Sequence, residues 1–185
     1  MTSRRNIALA AALVAAALFA AMAYVAWRPE VLVRAEFARQ LHSAGLSKHA
    51  RSVAGHRWVY AERDADRADA PTIVFVHGFT GMKENWYPVA RLFKGRYRVV
   101  IPDLPGWGES ERLPRENYGF LAQSERLAAF IHAISPDKPV VLVGHSMGGG
   151  VAALVAAGYP QRVSRLALVD AAGVRFNDNR FGADV

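Results

Sequence analysis

The chain has 185 residues, a formal net charge of +7 and no cysteine. Without cysteine there is no disulfide, no thiolate metal site, no cysteine nucleophile and no lipid-modified cysteine anchor. Lysine and arginine are scattered along the chain without the aromatic–basic interleaving of a nucleic-acid surface. The charge is therefore read as solubility and a mild attraction to anionic lipid, with no nucleic-acid partner.

Residues 7–27 contain no charged residue, no proline and no glycine. A helix over that stretch rises about 1.5 Å per residue, enough for a hydrocarbon core of about 30 Å. Arg4 and Arg5 favour a cytoplasmic N-terminus, and Tyr24 and Trp27 stand where aromatic rings prefer the interface. An uncleaved single-pass anchor is the first reading. A cleaved signal is the alternative, because Ala21-Met22-Ala23 has a small-x-small pattern after a basic start and an apolar run. Both readings place the following domain outside the cytoplasm. The predicted division is a membrane segment over 1–28, a juxtamembrane amphipathic helix over 29–47 and a single α/β domain over 48–185.

After Pro29, residues Val31, Leu32, Ala35, Ala38 and Leu41 recur at helical spacing. Residues 48–62 read as a β-hairpin turning near Ala54-Gly55-His56, and 63–70 as a solvated Asp/Arg loop. From residue 72 the rhythm is strand, loop, helix. Apolar runs at 72–77, 97–102, 139–144 and 163–169 alternate with helical spacing at 86–93, 120–134 and 147–159. Continuous apolar strands separated by helices predict an α/β fold, a mostly parallel sheet with helices on both faces.

Gly144-His145-Ser146-Met147-Gly148 is a G-x-S-x-G between an apolar strand and a helix. In that context Ser146 sits on a tight, strained turn that lifts its hydroxyl clear of the sheet. Glycines at 144 and 148 leave room for neighbouring elements. The Met147 amide then points where charge develops on a substrate carbonyl. The bland alternative is a glycine-rich turn where a helix packs closely on a strand. Gly149 and Gly150 are assigned to such packing, since no lysine follows to make a phosphate loop. His77-Gly78-Phe79 ends the first parallel strand, and Phe79 is placed to give a second oxyanion amide. His77 is read as shaping that loop through backbone hydrogen bonds rather than as a general base. Asp103 and Ser110 belong to a Pro/Gly loop whose backbone they are expected to satisfy.

Together, His77-Gly78-Phe79, the run Asp103-Leu104-Pro105-Gly106-Trp107-Gly108-Glu109-Ser110 and Gly144-His145-Ser146-Met147-Gly148-Gly149 resemble the α/β-hydrolase family over about residues 50–175. Thr80-Gly81-Met82-Lys83-Glu84-Asn85-Trp86, behind a membrane segment, is similar to the membrane-anchored bacterial lipases and the monoacylglycerol lipases. The resemblance implies ester hydrolysis through an acyl-enzyme, a lipid or small ester as substrate, and neither metal nor organic cofactor. It makes Ser146 the nucleophile and assigns the oxyanion amides to Phe79 and Met147. Its triad runs serine, acid, histidine, yet the last histidine in this sequence is His145. The histidine is expected beyond Val185, together with the lid, and the chain is read as a piece of a longer protein. Asp170, at the end of the fourth parallel strand, is a candidate for the acid, a loop-shaping carboxylate being the alternative. Two further readings stay open. The same elbow serves carbon–carbon bond hydrolases, amidases and perhydrolases. A non-catalytic, membrane-tethered module would need no histidine at all. Epoxide hydrolases and haloalkane dehalogenases are disfavoured, because they place an aspartate where Ser146 stands.

Overall fold

The computed structural model describes residues 2–173. The chain forms two compact units, 1–40 and 41 onward. The first holds α1 (Thr2–Trp27) and most of α2 (Glu30–Ser43). Within α1, Arg4–Trp27 is 24 residues long and apolar enough to cross a membrane. At its end the Tyr24 and Trp27 rings meet edge to face at 6.4 Å, and the Arg28 guanidinium lies 5.7 Å from the Trp27 ring centre.

In the second unit the strands are β1 (Ser47–Val53), β2 (His56–Arg63), β3 (Thr72–Val76), β4 (Arg98–Pro102), β5 (Val140–His145) and β6 (Val163–Val169). They form one sheet in the order β1-β2-β4-β3-β5-β6. β1, β2 and β4 pair antiparallel, whereas β4, β3, β5 and β6 run parallel. The hairpin predicted from the sequence is present. Its two turn residues, Ala54 and Gly55, both have positive φ (49° and 76°), the geometry that matches the twist of paired strands.

Two helices follow the expected spacing, α4 (Phe120–Ile134) and α5 (Met147–Gly158). The expected helix over 86–93 is instead three short pieces. A 3-10 turn over Lys83–Trp86 leads into α3 (Tyr87–Ala90), and a second 3-10 turn covers Arg91–Phe93. Pro88 has no amide hydrogen and is tolerated only in a helix's first turn, which confines the α-helical start to Tyr87.

Alternation along β3 divides the core. Val74 and Val76 face one layer, with Trp58, Leu127, Phe130, Ile131, Leu142, Val151 and Val155. Ile73 and Phe75 face the other, with Trp86, Tyr87, Val99 and Ile101. The Phe130 ring stacks on Trp58 at 4.5 Å and tethers α4 to the hairpin. The segments that carry Phe79, Trp107 and Ser146 leave the carboxyl ends of β3, β4 and β5. In sheets of this kind, ligands bind beyond those ends.

Candidate active site

β5 ends at His145, and the chain turns at once into α5. Ser146 is the N-cap of that helix, with φ 52° and ψ −123°. A side-chain-bearing residue held there costs about 1–3 kcal/mol and persists only when its surroundings enforce it. Here they do. The Ser146 amide donates to the Val169 carbonyl at 3.0 Å. The Ser146 carbonyl accepts from the amides of Gly149 and Ala172, both at 2.9 Å. An N-cap serine ordinarily turns its hydroxyl back onto the helix amides. This one makes no such bond, so its hydroxyl and the first amides of α5 are not consumed by each other.

The glycines are explained by close approach. A β-carbon on Gly148 would lie 2.2 Å from the His77 carbonyl oxygen, and one on Gly144 would lie 2.4 Å from that of Gly148. The end of β3 therefore runs directly against the first turn of α5. This brings Gly78 beside the serine, where a β-carbon would stand 2.9 Å from that of Ser146. Gly149 and Gly150 abut Ala171 and the Phe120 ring, so both serve packing. Phe79, next in the loop, is 68% exposed and meets the Trp107 ring edge to face. Neither the Phe79 amide nor the Met147 amide donates to another backbone carbonyl among the described residues.

His77 is buried and fully engaged. Its Nε2 accepts from the Leu104 amide at 3.0 Å, which requires the proton on Nδ1, and Nδ1 donates to the Gly78 carbonyl at 2.8 Å. The ring joins the 77–79 loop to the 103–110 loop and has no nitrogen left for a substrate. Burial holds its pKa below the ordinary 6.5. The unfolded chain therefore binds a proton at His77 more readily than the folded one. Stability should fall as pH drops through about 6.5. His77→Asn should show a smaller drop in melting temperature between pH 7.5 and 5.5, read by circular dichroism.

Beneath the same loops lies a charge cluster that the sequence reasoning missed. Lys83 is fully buried, and its Nζ sits 2.8 Å from Asp103, 2.6 Å from Glu109 and 2.9 Å from Glu84. Burial alone would lower its pKa, but the three carboxylates outweigh that and raise it. Asp103 also accepts from the backbone amides of Lys83 (2.7 Å) and Glu109 (2.9 Å). Asp103 and Ser110 thus do satisfy loop backbone. Ser110 bonds the Asp103 carbonyl and the Val59 amide, both at 2.8 Å. Tyr87 is held well above its usual pKa by burial and by the carboxylates nearby. Lys83 stands among polar neighbours in the sequence, and no local signal marks it as buried.

A cavity of about 300 Å³ opens beside the elbow. Phe79, Trp107, Tyr118, Phe120, Met147 and Val151 form its apolar wall. A larger cavity of about 590 Å³ touches Thr72, Arg98 and Lys138, at the amino ends of the parallel strands. The smaller cavity is the one lined by Phe79 and Met147, beside the Ser146 turn. Asp170 follows Val169, the residue that holds the Ser146 amide, and is exposed with φ 44°. Aspartate tolerates that left-handed region better than most residues. Among the described residues no three His, Asp or Glu side chains are grouped as a metal site.

The family profile described as the alpha/beta hydrolase fold matches residues 71–183. Lipase 1 of Psychrobacter immobilis is 40% identical over 119 residues, which are 64% of this chain and 37% of that protein. Monoacylglycerol lipase ABHD6 of Rattus norvegicus is 34% identical over 60% of this chain and 34% of its own length. Among solved structures, a membrane phospholipase A described as a bacterial virulence factor superposes with a TM-score of 0.75 at 39% identity, over 85% of this chain and 50% of that one. The matched stretches thus span about a third to a half of these relatives.

Proposed function

The chain belongs to the α/β-hydrolase family, and on that premise we propose that it carries the nucleophile half of a membrane-associated lipase or esterase. The observation that carries the proposal is the Ser146 elbow, strained at φ 52° and placed beside an apolar cavity that includes Phe79 and Met147. The names of its relatives, lipase and monoacylglycerol lipase, support a lipid ester as substrate. The 24-residue apolar stretch of α1 supports attachment to the membrane on which such a substrate resides.

In the proposed reaction Ser146 Oγ attacks the ester carbonyl and yields its proton to a histidine. No histidine follows His145 in this sequence, so we assign that role to a histidine supplied from outside it. The carbonyl oxygen becomes an oxyanion between the amides of Met147 and Phe79. Each well-placed donor of this kind is worth about 3–4 kcal/mol in the transition state. The histidine returns the proton to the departing alcohol, and water then releases the acyl group from Ser146. No step calls for a metal or an organic cofactor. Hydrolysis of a monoacylglycerol, by a polypeptide containing this chain and the histidine, tests the proposal.

Asp170 is the proposed acid within this chain. It stands one residue past the strand position that clamps the elbow, where its carboxylate could face a histidine brought to Ser146. Asp170→Asn should then lower turnover by about 10⁴, because a triad acid holds the histidine tautomer and steadies its charged form. A loss under tenfold in a folded variant would assign the acid to another residue and leave Asp170 a turn residue.

A further inference from the structure

One cation lines the apolar cavity beside the elbow, and it is Arg112. Its guanidinium carbon lies 5.9 Å from the centre of the Tyr118 ring. That ring is itself fixed, because the Tyr118 hydroxyl accepts from the Leu113 amide at 2.7 Å. Stacking on a ring of this kind orients the guanidinium fork and leaves its N–H groups outward. Every carboxylate near it in sequence is already engaged. Glu109 pairs with Lys48 and Lys83, Glu111 accepts from the Arg57 amide, and Glu116 pairs with Arg126. Among the described residues no ion pair forms on Arg112, whereas Arg126, over the same ring, is neutralised.

An arginine at an otherwise hydrophobic pocket has two consequences. A neutral amphiphile would fill the apolar wall and gain nothing from the charge. An amphiphile with a carboxylate or phosphate a short way from its chain would fill the wall and also take the fork bidentately, the geometry that guanidinium matches best. We propose that Arg112 is a specificity-determining residue, and that the ligands of this cavity are single-chain amphiphiles bearing an anionic carboxylate or phosphate group. The proposal rests on the cavity being the site where the substrate chain lies, and names the substrate class more narrowly than a neutral ester.

The test is a binding measurement, so it needs neither the histidine nor turnover. The full chain, held in phosphatidylcholine nanodiscs, is titrated with octyl phosphate, octanoate and octanol as monomers. Binding is followed by the fluorescence of Trp107, which lines the cavity, and Trp107→Phe should abolish the signal. Octyl phosphate should bind at least tenfold more tightly than octanol, and octanoate should fall between them. Arg112→Gln should bring all three within about twofold of each other, leave octanol unchanged, and keep the melting temperature of the parent. Raising salt from 0.05 to 0.5 M should shrink the preference in the parent and not in the variant. Inorganic phosphate should not displace octyl phosphate at equal concentration. If it does, the site reads phosphate alone and the amphiphile proposal is overturned. Replacing part of the nanodisc lipid with phosphatidylglycerol separates the sources of the anion. Competition with octyl phosphate would identify a two-chain bilayer headgroup and overturn the single-chain assignment, and its absence supports a soluble single-chain amphiphile. Octanol binding with no anionic preference would overturn the role of Arg112 while leaving the lipase reading intact. No binding of any alkyl ligand would overturn both.

Discussion

Ser146→Ala should lower ester turnover by about 10⁶, with little change in melting temperature, in any polypeptide that joins this chain to its histidine. The size follows from the covalent route. Without the hydroxyl no acyl-enzyme can form, and what survives is the slower attack of water on an ester polarised by the oxyanion amides. Stability should hold or improve slightly. The Ser146 hydroxyl does not cap α5, and the bonds that enforce the turn are made by its backbone. Alanine at φ 52° bears the same steric load as serine, so only glycine would relieve it. Ser146→Gly should therefore be more stable than Ser146→Ala and equally inactive. A turnover loss below a hundredfold in Ser146→Ala would remove the serine from the chemistry.

Lys83→Met should destabilise the domain by about 3–5 kcal/mol, the usual cost of removing one partner from a buried ion pair. Against the roughly 5–15 kcal/mol that holds most domains together, this is a large fraction. The cause is charge rather than volume. Methionine fills much of the lysine stem, but Asp103, fully buried, then has only backbone amides as partners and shares its site with Glu84 and Glu109 without the cation between them. Lys83→Met combined with Asp103→Asn should recover part of the loss, because the neutral amide oxygen can still accept from the Lys83-position amide. Urea unfolding of the single and double variants measures the difference. A single-variant cost under about 1 kcal/mol would mean that water reaches the cluster and screens it.

These two residues also show what could be read in advance. The strained turn at Ser146 was legible because its requirements are local. A strand, a glycine, a turn residue and a second glycine must follow in fixed order, and the short distances at Gly144 and Gly148 show why. His77 was legible for a related reason, since a polar ring ending a buried strand must find backbone partners, and it finds two. The parallel strands announced themselves as β-branched runs, and α4 and α5 as long periodic stretches. Lys83 was not legible. Two of its three carboxylate partners lie 20 and 26 residues away, at Asp103 and Glu109, and only the adjacency of β3 and β4 brings the two loops together. The helix expected over 86–93 failed because Trp86, Ala90 and Phe93 keep helical spacing through successive tight turns as well as through one helix. The cavity was equally hidden, because Trp107 and Tyr118 come from a stretch with no period before α4 begins and Phe120 is only that helix's first residue.

The central claim is that Ser146 is the nucleophile of an acyl-enzyme. The most direct measurement is covalent labelling with an alkyl fluorophosphonate, followed by mass spectrometry of the peptide that carries the adduct. The polypeptide must include this chain and the histidine. The account predicts one phosphonate per chain, on Ser146, with labelling abolished in Ser146→Ala and strongly slowed when the histidine is replaced. An adduct on another residue, or ester hydrolysis that persists while Ser146 stays unlabelled, would contradict it.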